Sequence, residues 1–183
     1  MERRKLDWAR YYVFEKGYPV IPTSPKSKQP VIKGWKKFQK VLPGNEELEE
    51  WFCNGSKHSI SIVTGKISGL AVVDLDSPVA VVLAEKMDFP EAPRVKTRRG
   101  YHLYYRWQEG IVNFQNRVDL PEIDLRGEGG YIIAPPSIHE SGHQYAWVES
   151  HNLEDISLVD LPEIIVKEAM KKGRTFKGGY KDI

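Results

Sequence analysis

Leu70-Ala71-Val72-Val73-Asp74-Leu75-Asp76 is the stretch that decides the fold. Its apolar run reads as a strand buried on both faces, with two carboxylates at the C-terminal end. Successive side chains of a strand point to opposite faces, so Asp74 and Asp76 share one face and Leu75 lies on the other. Ile123-Asp124-Leu125-Arg126 follows the same rule: Asp124 and Arg126 share a face, and Leu125 opposes them. His102 opens a third strand with Tyr104 and Arg106 on its side. If these strands are neighbours, one sheet face carries three carboxylates, a histidine and an arginine. Such a set suits divalent cations and a polyphosphate, and a sheet does not need it for stability.

Working outward, residues up to Lys16 form an amphipathic helix ending at Gly17, with Leu6, Ala9, Tyr12 and Val13 as its buried stripe. A short strand at 18–21 leads into a Pro-, Ser- and Lys-rich loop over 22–34, anchored at its end by Trp35 and Phe38. Asn45 is the expected N-cap of a helix through Phe52, with Glu46 and Glu47 favoured in its first turn. Strands at 59–63 and 70–74 are joined by a Gly-containing turn, and Ser77-Pro78 opens a helix to Met87. Strands follow at 95–97 and 102–107 around Arg98-Arg99-Gly100, and at 123–125 and 131–134 as a pair across Gly127-Glu128-Gly129-Gly130. A last strand at 145–148 and a helix over 162–172 complete a domain spanning 1–172, and 173–183 is a basic, Gly-rich tail or linker. This order is α+β with a mostly antiparallel sheet, not a doubly wound parallel one.

A chain of 183 residues holds one substantial core or two small lobes around a cleft. The net charge of +2 is too small to announce a nucleic-acid partner, so local basic clusters at 3–5, 26–37, 94–99 and 167–181 matter more. A solvated surface accounts for such runs as readily as phosphate binding does. The single cysteine, Cys53, excludes an intrachain disulfide framework and a multi-cysteine zinc site. It is expected to be a small buried apolar residue in a reducing, cytoplasmic setting. No stretch has transmembrane length and the N-terminus lacks a signal-peptide core, so no membrane partner is expected.

Asp74 and Asp76 repel each other unless a cation lies between them. Mg²⁺ or Mn²⁺ takes such oxygen ligands, typically one or two carboxylates together with substrate phosphates. Asp124 as a third carboxylate would complete a site for two metals in phosphoryl transfer. A strand end with an aspartate cap explains Asp-x-Asp alone equally well. Before His102, Gly100 lets backbone approach a phosphate closely, and Arg98 and Arg99 supply charge. His102 suits a hydrogen bond to polyphosphate better than metal ligation, because no second histidine stands at ligand spacing. Arg126 precedes a Gly-rich turn that is not a Walker A loop. Ala134-Pro135-Pro136-Ser137-Ile138-His139 places Ser137 and His139 rigidly, as substrate positioning requires. No Gly-x-Ser-x-Gly elbow surrounds Ser137.

Together these residues resemble the bifunctional primase–polymerase (Prim-Pol) family of the archaeo-eukaryotic primase superfamily, from about Tyr11 to Ala169. Gly17-Tyr18-Pro19-Val20-Ile21-Pro22 with Lys28-Gln29-Pro30 and Trp35 is similar to the family's opening. Residues 59–65 with 69–76 resemble its first motif, Gly100-Tyr101-His102-Leu103-Tyr104-Tyr105 the second, and 123–137 the third and its extension. The resemblance implies a two-lobed core: an antiparallel sheet like an RNA-recognition motif, a second small α/β lobe, and an active site in the cleft between them. It implies that Asp74, Asp76 and Asp124 hold two divalent ions, Mg²⁺ or Mn²⁺, and that His102 contacts the incoming triphosphate. Arg98 is a second triphosphate contact by the same analogy, Arg126, Ser137 and His139 are further nucleotide contacts, and Lys28 touches nucleotide or template. The activity implied is template-dependent nucleotidyl transfer, DNA primase/polymerase, from NTP or dNTP on single-stranded or primed DNA. A helicase or helical accessory module is an implied partner, and a prokaryotic, plasmid or viral replication protein the implied setting. Gly100 departs from the serine frequent in the superfamily, and the zinc element of some relatives is missing. The rival reading is a non-catalytic single-strand binding module using Tyr101, Tyr104, Trp35 and Tyr131 as stacking platforms. Three acids facing a polyanion argue against it.

Overall fold

A computed structural model describes residues 4–171. In chain order the elements are α1 (Lys5–Arg10), β1 (Val20–Thr23), α2 (Asn45–Phe52), β2 (Ser59–Val63), β3 (Leu70–Leu75), α3 (Pro78–Lys86), β4 (Arg94–Lys96), β5 (Tyr101–Arg106), β6 (Ile123–Arg126), β7 (Tyr131–Ile133), β8 (Ala146–Trp147) and α4 (Glu163–Met170). The strands form two antiparallel sheets, one of five in the order β6-β3-β5-β4-β8 and one of three in the order β1-β2-β7. The fold is α+β, as the sequence implies. Among the described residues no helix is long and apolar enough to cross a membrane.

The alternation expected of β3 sorts its side chains between two cores. Ala71, Val73 and Leu75 pack with Leu103, Tyr105 and Leu125 on the outer face, beneath α3 and α4. Leu70 and Val72 join Val95 and Tyr104 on the inner face, against residues of α1, α2 and the three-stranded sheet such as Ala9, Leu48, Ile60 and Ile62. The three-stranded sheet with α1 and α2 therefore covers the apolar end of the inner face and leaves the end carrying Asp74 more open. Apolar burial of this kind contributes roughly 25 cal/mol per Å².

Local signals act largely as read. Ser77 caps α3, its hydroxyl accepting the Ala80 amide at 3.1 Å, with Pro78 in the first turn. The first helix widens after Arg10 into a π-type turn, Tyr11–Glu15, and the chain leaves it at Gly17, whose φ is 71°. Two expectations change. Gly44, not Asn45, is the N-cap of α2, because the Glu47 carboxylate reaches back to the Gly44 amide at 2.9 Å, while the Asn45 amide links Arg10 to Glu49. Cys53 is exposed, since α2 ends at Phe52 and the chain turns out of the core there.

The larger correction concerns the two Gly-containing turns. Neither closes a hairpin. The first carries the chain from β2 in the small sheet to β3 in the large one, and the second carries it from β6 in the large sheet to β7 in the small one. The crossings lie side by side: Thr64 donates through its amide to Gly130 O at 3.0 Å and through its hydroxyl to Gly127 O at 2.7 Å. The Glu128 carboxylate accepts the Lys66 amide at 2.7 Å. At Gly65, with φ of 100°, any Cβ would overlap Glu128, so glycine is required for the two backbones to meet. The last helix, α4, ends at Met170, and the tail over 173–183 lies outside the described residues.

Candidate active-site cleft

Strand register assembles the site. Asp74 is paired directly with His102 on β5 and with Asp124 on β6, so the three candidate side chains lie in one row across adjacent strands. One step further along, Val72 is paired with Tyr104 and Arg126. The His102 Nε2 lies 3.6 Å from the Asp74 carboxylate, and Arg126 lies 3.8 Å from that of Asp124. Asp74, His102, Arg126 and Lys28 line a cleft of about 390 Å³ whose other walls include Gln115, Tyr131 and Tyr145. That volume is within the range of small-molecule sites. Lys28 comes from the opposite lip. The loop after β1 folds back on itself, with Ser24 and Gln29 hydrogen-bonded at 2.9 Å, and Lys28 takes a left-handed φ of 60°. Its carbonyl accepts the Tyr131 hydroxyl at 3.0 Å, which ties the lip to β7.

The electrostatics follow from this burial. Burial and the neighbouring Asp76 charge push the Asp74 carboxyl up to about 6, against the pull of Arg126, Lys28 and Arg99. Burial also raises Asp124, partly offset by Arg126 and by the Asn116 amide, which donates to its carboxylate at 3.2 Å. Burial, then Arg126 and Lys28, lower the His102 imidazole to about 3, so it is neutral at any working pH. Its Nδ1 is enclosed without a hydrogen-bond partner, an arrangement that native interiors seldom leave without water or ligand. The imidazole stacks on Tyr145, with ring centroids 5.7 Å apart and planes 27° from parallel.

Asp76 stands just past β3 and is half exposed. Its carboxylate faces Arg99 at 3.5 Å, and Arg99 also reaches Glu122 at 3.6 Å. Glu122 in turn accepts from the Ser77 hydroxyl, and its carbonyl accepts the Asp76 amide at 3.0 Å. Among the described residues no three acidic, histidine or cysteine side chains already converge as a metal cage. The donor set nonetheless fits Mg²⁺ or Mn²⁺. It offers hard carboxylate oxygens, one of them buried beside a like charge, and such ions are completed by substrate phosphates and water.

The turn before His102 has a different logic from the one expected. Gly100 faces no ligand space: a Cβ there would overlap the Leu75 carbonyl oxygen. The turn is closed by Thr97, whose hydroxyl accepts the Gly100 amide at 3.0 Å. Gly100→Ala is therefore expected to destabilise the protein by about 3 kcal/mol, the upper end for overpacking, because the obstacle is backbone. Chemical denaturation checks this, and an unchanged midpoint would exclude so close an approach. Arg98 is exposed on the same turn, and its charge is felt at His139 and Tyr145.

Other expected contacts are placed elsewhere. Ser137 is buried, and its hydroxyl exchanges hydrogen bonds with the Ile60 amide at 2.8 Å and carbonyl at 3.2 Å. It clamps the chain to β2 and presents no group to the cleft. His139 is half-buried and bonded to the Ser141 hydroxyl at 2.9 Å, within reach of the Lys28 and Arg98 charges. Tyr104 is fully buried, and Tyr101 lies on the outer side under Lys96 and Arg94, which removes both as stacking platforms. Trp35 and Tyr131 remain at the cleft, edge to face with centroids 5.2 Å apart. Sequence reading missed Gln115, which sits between Asp124 and Arg126, and Tyr145 beneath His102.

A half-buried carboxylate with an arginine on the same sheet face and a lysine on the opposite lip is an arrangement whose chemistry suits phosphate groups. A family model described as bifunctional DNA primase/polymerase, N-terminal, matches residues 9–164, and the chain belongs to this Prim-Pol family. No curated protein matches the chain. Membership implies a nucleotidyltransferase of the DNA primase/polymerase type.

Proposed function

We propose that the cleft catalyses template-directed nucleotidyl transfer, joining an NTP or dNTP to a 3′-hydroxyl on single-stranded or primed DNA. The observation that carries this reading is the row His102–Asp74–Asp124 across three adjacent strands, with Arg126 on the same sheet face and Lys28 on the opposite lip lining one cleft with Asp74 and His102. In this reading the five-stranded sheet backed by α3 and α4 is the lobe like an RNA-recognition motif, the three-stranded sheet belongs to the second lobe, and the cleft between them is the active site. Asp74, Asp76 and Asp124 would hold two divalent cations, Mg²⁺ or Mn²⁺, which when bound make the attacking hydroxyl more acidic and offset charge on the leaving pyrophosphate. Arg126 and Lys28 bind and orient the triphosphate from opposite lips, and Arg98 adds charge at the rim. His102, neutral, donates a hydrogen bond to a phosphate oxygen without competing for the acids as a cation would. Gln115, its amide oxygen accepting from the Arg126 guanidinium, holds Arg126 beside the acids.

The test is incorporation of labelled nucleotides on a single-stranded template, with and without annealed primer, in Mg²⁺ and in Mn²⁺. Template- and cation-dependent product is the expected result, and product without primer defines priming. Absence of incorporation under every combination overturns the reading.

A further inference from the structure

We propose that the lysine-rich segment beside the cleft, residues 26–40, is the seat of the single-stranded template, with Trp35 as its stacking platform. The inference rests on the nucleotidyl-transfer reading and gives it a template path. No acidic residue occurs between Glu15 and Glu46, and six lysines fall within 26–40. The chain folds these residues into one ledge. The loop after β1 brings Lys28 to the cleft wall, and a short 3₁₀ helix, Trp35–Gln39, follows it. With three residues per turn, Trp35 and Phe38 share a side of the helix: Phe38 is buried, while Trp35 is half-buried, meets Tyr131 edge to face and keeps part of its ring at the surface. The lysines are thereby turned to solvent. Lys37 is engaged by Glu47 at 2.9 Å, while no carboxylate pairs with Lys33, Lys36 or Lys40 among the described residues. Val31, between Lys28 and Lys33 in the chain, is 44% exposed.

This surface combines unpaired cations, an aromatic edge and apolar area, and it is continuous with the candidate site through Lys28 and Tyr131. A single strand is the occupant with matching chemistry, because it presents phosphates at regular spacing and base faces free to stack. A duplex would offer only its backbone. An acidic polypeptide would leave Trp35 and Val31 without a counterpart.

The experiment measures binding of a fluorescein-labelled oligothymidylate to the full chain by anisotropy, without metal or nucleotide, across a salt series. The variant Lys33→Glu/Lys36→Glu/Lys40→Glu alters exposed side chains only, and a thermal melt monitors its fold. Its affinity is expected to fall at least about tenfold, and the slope of log K against log salt to shrink by roughly 2 for three lost phosphate contacts. Trp35→Ala should cost about tenfold with the slope unchanged, since stacking releases no counterions. Wild-type affinity and slope in the triple variant would overturn the proposal, as would displacement of the oligonucleotide by polyglutamate at equal charge. The two readings fail separately. A wild type that incorporates nothing but loses oligonucleotide in the triple variant removes the polymerase and keeps the ledge. A triple variant that binds and copies as wild type does keeps the polymerase and removes the ledge.

Discussion

Asp74→Asn is expected to abolish nucleotide incorporation, by at least about 10³-fold or roughly 4 kcal/mol of transition-state stabilisation, while making the metal-free protein more stable. The two effects have one cause. Asp74 is enclosed beside Asp76, and its carboxyl is raised from 3.8 to about 6. Between those values the folded state binds more protons at this group than the unfolded state does. Stability is therefore lost as pH rises through the window, reaching about 3 kcal/mol by pH 8 at about 1.4 kcal/mol per pH unit. Asparagine has nearly the shape of the neutral acid and carries no charge. The melting temperature of Asp74→Asn minus that of wild type should be near zero at pH 4 and clearly positive at pH 8, and added Mn²⁺ should narrow the gap by stabilising wild type alone. A gap independent of pH would mean that Asp74 is not enclosed beside Asp76 as described. His102 has the opposite slope, because its lowered value costs stability as pH falls below about 6.5. It is present in both proteins and drops out of the difference.

The second large effect concerns His102 itself. His102→Ala should lower incorporation about 10²- to 10³-fold, the range for removing one preorganised hydrogen-bond donor from a charged transition state. The informative measurement is the ratio of wild type to variant against pH. Burial keeps the imidazole neutral down to about 3, so the ratio should be flat from pH 6 to pH 8. An imidazolium acting as a cation on the phosphates would make the ratio climb as pH falls. His102→Gln, which retains a donor, should recover part of the lost rate. Recovery absent and a ratio rising toward pH 6 would together replace the neutral-donor role with an ionic one.

Much of this site was legible before any coordinates because strands obey a period of two. Asp74, Asp124 and His102 stand where alternation puts them, and Leu75 and Leu125 are in the outer core for the same reason. What stayed hidden depends on contacts distant in sequence. Two strands flanking a Gly turn look alike whether the turn closes a hairpin or changes sheets, and only the crossed bonds of Thr64 with Gly127 and Gly130 decide it. Ser137 after Pro135-Pro136 reads as free, yet the Ile60 backbone uses both capacities of its hydroxyl. Gly100 looked like room for a phosphate and is room for the Leu75 carbonyl. Tyr145 has no local signature, since its place under His102 is set by pairing at the far edge of the sheet.

The doubled crossing between the sheets also bears on how such a protein can be inherited. The small sheet draws strands from both sides of the large sheet's segment, with β1 and β2 before it and β7 after it, and β8 returns to the large sheet near the end. Neither sheet is built from a continuous stretch of chain, so no single cut separates them. Recombination that exchanged one half for that of a relative would split both sheets at once and divide the row of acids from the lip that faces it. Grafting either sheet alone onto another protein would therefore need several cuts, one at each place where the chain passes between the sheets.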